Sequence, residues 1–142
     1  MERSKTDLVL KIERVISATP AEVYKGWLDP KVKGNPWNMG DKLILNAKLN
    51  GFFYWFIHGT PHYGRFTKLD KAKKIQHTWM SPYTEGEEST VTVTFAKKGS
   101  DTLMTLVHAG LPNTEKGKAH NEGWNEFLDL FPKHFAKKKK KK

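Results

Sequence analysis

Histidine is the residue type in this chain best suited to chemistry, because the 142 residues include six histidines and no cysteine. An imidazole titrates near neutral pH and can donate or accept a hydrogen bond. His108 follows Met104 and Leu106 on the apolar face of an alternating segment, so its ring is expected to point inward. His120 precedes Trp124 by one helical turn and could face His108. Two interpretations of His108 stay open: a buried ring bonded to a carbonyl or water, and a donor to a ligand oxygen.

Other kinds of catalytic or metal site find little support in the sequence. Without cysteine there is no disulfide, thiolate nucleophile or thiolate metal ligand. No glycine-rich phosphate loop, nucleophile elbow or metal-binding helix motif occurs. His58 and His62 flank a turn and could approach each other, but two imidazoles without a third ligand make a poor zinc site. We therefore expect no metal and no cofactor, and catalysis is not favoured.

Aromatic side chains are the second hint at function. With five tryptophans and eight phenylalanines, the chain needs either a core of large rings or a cavity lined by them. The segment Phe52–His58 is apolar on both faces, because Phe53, Trp55 and Ile57 alternate with Phe52, Tyr54 and Phe56. The face that points inward can belong to the core or form the wall of a ligand cavity. The face that points outward is also apolar, and an exposed apolar stripe usually marks a contact surface.

The first elements are a strand and a well-marked helix. Alternation predicts the strand at Asp7–Ser17. Thr19 is a suitable N-cap, Pro20 suits the first helical position, and Glu22 completes a capping box. Asp29-Pro30 is expected to stop this helix.

A short helical or irregular piece at Lys31–Trp37 is followed by period-two patterning, which predicts strands at Lys42–Leu49, Phe52–His58, His62–Leu69, Lys74–Met80, Ser89–Lys97 and Thr102–Ala109. The alternation leaves open which of Arg65 and Phe66 faces inward. A final helix is predicted at about Asn113–Phe135, where Pro132 should kink or end the last turn. This order favours an α+β fold, with one antiparallel sheet of six or seven strands and helices on one face.

Five motifs in sequence order support a family resemblance: Ile16–Tyr24 with Trp27 and Asp29-Pro30, Gly51-Phe52-Phe53, Gly64 with Thr78-Trp79, His108–Pro112, and Gly123-Trp124 with Leu128. Together they resemble the START-like SRPBCC superfamily. The closer likeness is to its branch named after the activator of heat-shock-protein-90 ATPase, in particular the C-terminal domain. The resemblance covers about Lys5–Phe135. It implies a helix-grip fold, in which a curved sheet wraps around the C-terminal helix and leaves a pocket between them.

The resemblance also implies where a ligand would lie and leaves three functions open. The leading hypothesis is non-catalytic binding of a hydrophobic or aromatic small molecule by Phe53, Trp55, Trp79, Met104, Leu106, His108, His120, Trp124, Phe127 and Phe131. Gly123 would remove a side chain where the helix approaches ligand or sheet. The alternatives are a chaperone-linked interaction domain, with an outward patch for a protein partner or second copy, and a cyclase- or hydrolase-type enzyme using His108 as acid–base.

Charge and the chain ends suggest a location. Of the net charge of +10, six charges belong to the run Lys137–Lys142, which leaves +4 for the rest. Such a block repels itself and is expected to be a disordered, solvated tail behind a domain spanning residues 1–136. Neither nucleic-acid nor membrane binding is expected. The charged N-terminus has no signal-peptide pattern, and the expected location is cytoplasmic.

Overall fold

The computed structural model describes residues 8–38, 40–57 and 59–140, with side chains described as far as residue 136. The elements are strand β1 (Leu8–Ile16), helix α1 (Pro20–Trp27), strands β2 (Lys42–Leu45), β3 (Phe52–Ile57), β4 (Thr60–Asp70), β5 (Lys74–Trp79), β6 (Ser89–Lys98) and β7 (Asp101–Leu111), and helix α2 (Glu115–Lys140). Single 3-10 turns occupy Pro36–Asn38 and Pro82–Thr84. The seven strands form one antiparallel sheet in the order β1-β7-β6-β5-β4-β3-β2. The predicted α+β helix-grip fold is confirmed.

Helix α1 begins as its sequence predicts. The Thr19 hydroxyl oxygen accepts a hydrogen bond from the Glu22 backbone N–H at 3.2 Å, and the Glu22 carboxylate accepts one from the Thr19 N–H at 3.0 Å. This capping box satisfies backbone donors that the first helical turn leaves without partners. Val23 and Trp27 lie on the buried face of the helix and join the core.

Helix α2 packs its apolar stripe against the inner face of the sheet. Its buried side chains are Trp124, Phe127, Leu128, Phe131 and Phe135. Pro132 lies inside the helix, which continues to Lys140, beyond the predicted end at about Phe135. A proline removes one backbone donor, but the burial of Phe131 and Phe135 on either side holds the last turns against the core. The predicted tail at residues 137–142 therefore overlaps the helix; residues 141–142 lie outside the described residues.

Strand β2 ends four residues earlier than predicted, because residues 46–51 are needed for the turn into β3. Within this turn the Lys48 N–H donates to the Asn46 carbonyl at 2.8 Å. Asn50 takes a left-handed conformation, with φ of 66°. The turn is tied to β4 by hydrogen bonds in which the Asn50 N–H donates to the Phe66 carbonyl and the Phe66 N–H to the Gly51 carbonyl.

The face of β4 that the sequence left open is now assigned. Phe66 is fully buried, whereas the Arg65 guanidinium donates to the Asn50 side-chain oxygen at 3.0 Å on the outer side. His62 and Gly64 share the inner face with Phe66 because side chains alternate along a strand. A Cβ on Gly64 would collide with the Thr78 carbonyl oxygen and the Phe53 ring, so this close packing requires glycine.

Candidate functional site

A cavity of about 260 Å³ lies between the inner face of strands β3–β5 and the first half of α2. Its lining residues are Trp55, Ile57, Thr60, His62, Trp79, Tyr83, Ala119, His120, Gly123, Trp124, Glu126 and Phe127. Tyr83, Ala119 and Glu126 are exposed, so the cavity opens to solvent on their side. It lies where the sequence predicts a pocket, between sheet and C-terminal helix.

Four aromatic residues of the lining pack against one another in a closed circuit. The ring centroids of Trp55 and Trp79 are 5.5 Å apart, and those of Trp79 and Trp124 are 5.2 Å apart. Phe127 completes the circuit at 5.8 Å from Trp124 and 5.9 Å from Trp55. These are ordinary separations for tilted and edge-to-face ring pairs, so each ring supports the next.

The helix contributes side chains at the spacing of one face, and Gly123 lies in its middle. His120 lies three and four residues before Gly123 and Trp124, and Phe127 lies four and three residues after them, so the four positions share one face of the helix. A Cβ on Gly123 would meet no heavy atom within 4 Å. The glycine thus leaves open space in front of the helix.

His108 lies behind the ring circuit in a hydrogen-bonded chain. The Trp124 indole N–H donates to His108 Nδ1 at 2.9 Å. Because an indole can only donate, Nδ1 carries no proton, and Nε2–H donates to Ser89 Oγ at 2.7 Å. The Ser89 hydroxyl donates in turn to the Trp79 carbonyl oxygen at 2.6 Å. The chain is complete only with a neutral His108. Burial, with smaller contributions from nearby His120 and His77, lowers the pKa of His108 well below its ordinary value.

His120 presents an unused nitrogen. Its Nδ1 lies 3.0 Å from the Gly117 carbonyl oxygen, which can only accept, so Nδ1 carries the proton. Its Nε2 is buried and has no hydrogen-bond partner. Desolvation by burial lowers the pKa of His120, although the backbone carbonyls of Gly117 and Lys116 oppose the shift. In the neutral ring Nε2 is therefore a free acceptor.

Two further polar atoms of the lining lack a partner in the same way. They are the indole nitrogen of Trp79, which can only donate, and Nδ1 of His62. Burial lowers the pKa of His62 to about 4, against opposing contacts with the backbone of Trp55 and Thr60. Three nitrogens of the lining residues thus have no hydrogen-bond partner among the described residues, and each is almost completely inaccessible.

The ten residues proposed from the sequence divide into two groups. Half of them line the cavity: Trp55, Trp79, His120, Trp124 and Phe127. The other half are buried in the core and do not border it: Phe53, Met104, Leu106, His108 and Phe131. Phe53 packs on Trp37 and Phe131 on Trp27, at centroid separations of 4.9 and 5.0 Å. His108 and His120 face each other with centroids 5.1 Å apart, but His108 has no free nitrogen for a ligand.

Several cavity residues were missed by sequence reasoning. The sequence suggests His62 only as a metal ligand with His58, a residue that lies outside those the structure describes. The signal for His62 is strand alternation, because it pairs with inward-facing Trp55 across the β3–β4 hairpin. Tyr83 and Glu126 carried no comparable signal, since turn and helix-edge positions reach a cavity only through the tertiary packing. In the part of the chain that the structure describes, no three histidine or carboxylate side chains gather as a metal site.

The opposite face of the sheet carries a second feature, which we call the outer apolar patch: Ile44, Phe52, Tyr54, Tyr63 and Met80. Ile44, Tyr54, Tyr63 and Met80 are successive cross-strand neighbours in one row. Phe52 and Ile44 are 67% and 66% exposed, which is unusual for side chains of this size. The patch borders a groove of about 430 Å³, whose lining also includes Arg65 and Glu88. The sequence predicts an outward apolar stripe on β3 formed by Phe52, Tyr54 and Phe56. Of these, Phe52 and Tyr54 belong to the outer apolar patch.

Comparison with known proteins decides the family. The sequence model described as activator of Hsp90 ATPase homolog 1-like protein matches residues 17–136. The chain belongs to this family. No curated protein matches it. The family agrees with the resemblance deduced from the sequence motifs.

Several solved structures have a similar fold. A protein from Chromobacterium violaceum is 23% identical, with a TM-score of 0.73 over 89% of this chain and 96% of that one. An HSP90 activator from Plasmodium falciparum is 24% identical, with a TM-score of 0.67 over 89% of its own length and 87% of this chain. The Aha1 dimer from Colwellia psychrerythraea is 14% identical, with a TM-score of 0.73 over 90% and 96% of the two chains. At these identities the likeness concerns the fold.

Among the described residues, no helix combines the length and hydrophobicity needed to cross a membrane.

Proposed function

We propose that the chain binds a small, largely aromatic molecule in the cavity between sheet and helix, without transforming it. The observation that carries this proposal is the cavity of about 260 Å³, which opens to solvent and has Trp55, Trp79, Trp124 and Phe127 in its lining. Apolar walls with a few polar groups are the usual composition of a small-molecule site.

The volume limits the size of the ligand. At about 260 Å³ the cavity is slightly smaller than typical ligand pockets, which hold about 300–1,000 Å³. A dry engineered cavity of about 150 Å³ is known to admit benzene. A molecule with one or two rings therefore fits, whereas a long acyl chain does not.

The arrangement favours binding over catalysis. Both nitrogens of His108 are engaged within the protein, so this residue is unsuited to the acid–base role considered from the sequence. His120 has a free nitrogen, but its other nitrogen is bonded to a backbone carbonyl and not to a carboxylate. A general base usually works together with a second group that orients or charges it.

Toluene is a suitable test ligand because it has the expected ring and no polar group. We expect saturable binding of toluene in ligand-observed NMR. In protein-observed spectra, the indole N–H resonances of Trp79 and Trp124 should shift at the same toluene concentrations. A bound ligand should also raise the thermal midpoint, by an amount that grows with the logarithm of the free ligand concentration above Kd. Absence of saturable binding by toluene and by its hydroxylated analogue phenol would contradict the proposal.

A second candidate function is self-association through the outer apolar patch. Its support is the exposure of Phe52 and Ile44, together with the dimer formed by the structurally similar Colwellia protein. A two-fold interface brings the same patch of two copies together. Arg65 and Glu88 on the same groove then offer opposite charges to the second copy. We propose a homodimer covering this patch.

Sedimentation analysis tests the dimer. The wild type should sediment as a dimer at micromolar concentration, and Phe52→Lys should make it monomeric. Val9→Lys is the matched control, because Val9 is also exposed but lies on β1 at the other edge of the sheet. A monomeric wild type would contradict self-association. A monomeric wild type is the expected result if the outer apolar patch binds a chaperone instead of a second copy, as the family name suggests.

A further inference from the structure

We propose that the molecule held in the cavity carries a positively charged amino group, which lies at the solvent-facing mouth beside Glu126 while the apolar part of the molecule lies inside. This inference rests on the proposed binding function and adds the charge of the ligand. It follows from the charged groups that the lining contains and from those that surround the mouth.

Glu126 borders the mouth on the side of helix α2. Its side chain is exposed and belongs to the cavity lining. Ala119 is likewise an exposed residue of the lining, and it lies seven residues earlier. Positions seven residues apart lie on the same side of an α-helix, two turns from each other. The Glu126 carboxylate therefore lies on the flank of the helix that bounds the entrance, where a ligand can reach it without being fully buried.

The described residues of the lining offer no positive charge to an anionic ligand. They include neither lysine nor arginine, and Glu126 is their one carboxylate. Burial lowers the pKa of His62 to about 4 and also lowers the pKa of His120, so both lining histidines are neutral at pH 7.5. An anion entering the cavity would lose its hydration without gaining a charged partner, which is strongly unfavourable.

The surface around the mouth is acidic as well. The turn that carries Tyr83 and the start of α2 are tied together, because the Thr114 hydroxyl donates to the Glu85 carboxylate at 2.7 Å. Residues 81–87 and 115–126 contain five glutamates and two lysines, although the chain as a whole has a net charge of +10. The entrance to the cavity is thus an acidic region of a basic protein.

The terminal lysines do not cancel this local field. Lys137, where the lysine run begins, lies eleven residues beyond Glu126, which is about 16 Å along the helix axis. At physiological ionic strength, charges separated by more than about 8 Å are largely screened from each other. A ligand at the mouth therefore senses Glu126 more strongly than the lysine run.

Tyr83 adds a second attraction for a cation at the mouth. Its side chain is 44% exposed and belongs to the cavity lining. Its ring packs edge-to-face with His120 at a centroid separation of 6.4 Å, which holds it beside the helix. The face of a tyrosine ring attracts an ammonium group within about 6 Å and repels an anion.

Benzylamine, benzyl alcohol and benzoate form a matched series for the test, because they share one ring and differ in the charge of one substituent. In ligand-observed NMR titrations at pH 7.5 and 0.15 M NaCl, we expect benzylamine to bind about fivefold more tightly than benzyl alcohol, the gain of one favourable ion pair. Benzoate should bind at least about threefold more weakly than benzyl alcohol. The preference for benzylamine should fall towards one at 1 M NaCl, where the screening length is about 3 Å.

The outcomes separate this inference from the proposed function. A benzylamine affinity no higher than that of benzyl alcohol, in a protein that binds toluene, would overturn the assigned charge and leave the proposed function intact. A preference that does not depend on salt would also overturn the assigned charge. Failure of toluene and phenol to bind would overturn the proposed function itself.

Two variants identify the carboxylate responsible. Glu126→Gln keeps the size of the side chain and removes its charge, so the affinity ratio of benzylamine to benzyl alcohol should come close to one, with benzyl alcohol affinity changed by no more than about twofold. Glu122→Gln is the control, since it removes the same charge at an exposed position of the same helix that does not line the cavity. This control should keep most of the ratio. A ratio that stays near five in Glu126→Gln, or that falls equally in both variants, would overturn the proposal.

Discussion

At the scale of single residues, the buried histidines are the most informative groups. His62, His77, His108 and His120 lie on the inner side of the sheet or the facing helix, and burial is the first cause of the lowered pKa of each. These rings contribute to the fold as neutral, hydrogen-bonding aromatic groups. His77 illustrates this use, because it packs between the rings of Phe53 and Phe66 at 5.1 and 5.4 Å.

Stability should therefore fall in mild acid. The unfolded chain takes up protons on these histidines below a pH of about 6.5, whereas in the folded chain His62 and His77 resist until the pH approaches about 4. More protons bound to the unfolded state means that the free energy of unfolding decreases as pH falls through this window. Each such histidine contributes a slope of up to about 1.4 kcal/mol per pH unit. Urea denaturation between pH 8 and pH 4.5 measures this.

His77→Phe isolates one histidine in that pH series. Phenylalanine keeps the ring among its aromatic neighbours and removes the titrating group, so the slope between pH 6 and pH 4.5 should be smaller by up to about 1.4 kcal/mol per pH unit. A wild type whose unfolding free energy is constant between pH 7 and pH 5 would show that the four rings are not held neutral by the fold.

The bond from Trp124 to His108 gives a second residue-scale prediction. Trp124→Phe keeps a ring beside the cavity but leaves His108 Nδ1 as a buried acceptor without a donor. The free energy of unfolding should drop by about 1–3 kcal/mol. In a double-mutant cycle with His108→Leu the two losses should not add, because both variants remove the same hydrogen bond. Strict additivity would show that this bond contributes nothing to stability.

At the scale of elements, the ends of the helices show what local sequence determines. The start of α1 is predicted correctly because Thr19, Pro20 and Glu22 act within one turn. The expected end of α2 near Phe135 is wrong, because the tertiary burial of Phe131 and Phe135 outweighs the local effect of Pro132. Likewise β2 is shorter than its pattern suggests, since the backbone of its turn bonds to β4, a contact that spacing does not reveal.

The cap of α1 can be tested directly. Thr19→Ala should lower the free energy of unfolding by about 1 kcal/mol, because it leaves the Glu22 N–H without its acceptor. Thr19→Ser keeps the hydroxyl and should remain within a few tenths of a kcal/mol of the wild type. Chemical denaturation of the three proteins decides the matter, and indistinguishable midpoints would contradict the capping role.

At the scale of the whole molecule, the fold was more predictable than the site. Alternation, turn residues and motif order are properties of the chain itself, and they lead to the sheet and the gripping helix. Which inward residues border the cavity depends on how the sheet curves around α2. Leu106 and Phe131, for example, face inward but do not border the cavity, whereas His62 does. The cavity polarity also depends on which nitrogens find partners, which only the three-dimensional arrangement decides.

The terminal lysines give a prediction at the same scale. Removing Lys137–Lys142 lowers the net charge from +10 to +4. We expect the free energy of unfolding to change by less than about 0.5 kcal/mol, the usual range for surface changes. Denaturation of the full-length and truncated chains at equal ionic strength measures it. A loss above about 1 kcal/mol would mean that the run makes contacts the folded domain needs.

The central claim, that the space beside Gly123 is a binding cavity and not a packing defect, is tested most directly by filling it. In Gly123→Leu the new side chain enters space where a Cβ meets no heavy atom, and leucine is the better helix former by up to about 1 kcal/mol. The account predicts that this variant is at least as stable as the wild type in urea and that its toluene and phenol binding is lost. Glu122→Leu, which adds the same side chain at an exposed neighbouring position, should bind both as the wild type does. Undiminished binding by a folded Gly123→Leu protein would contradict the claim.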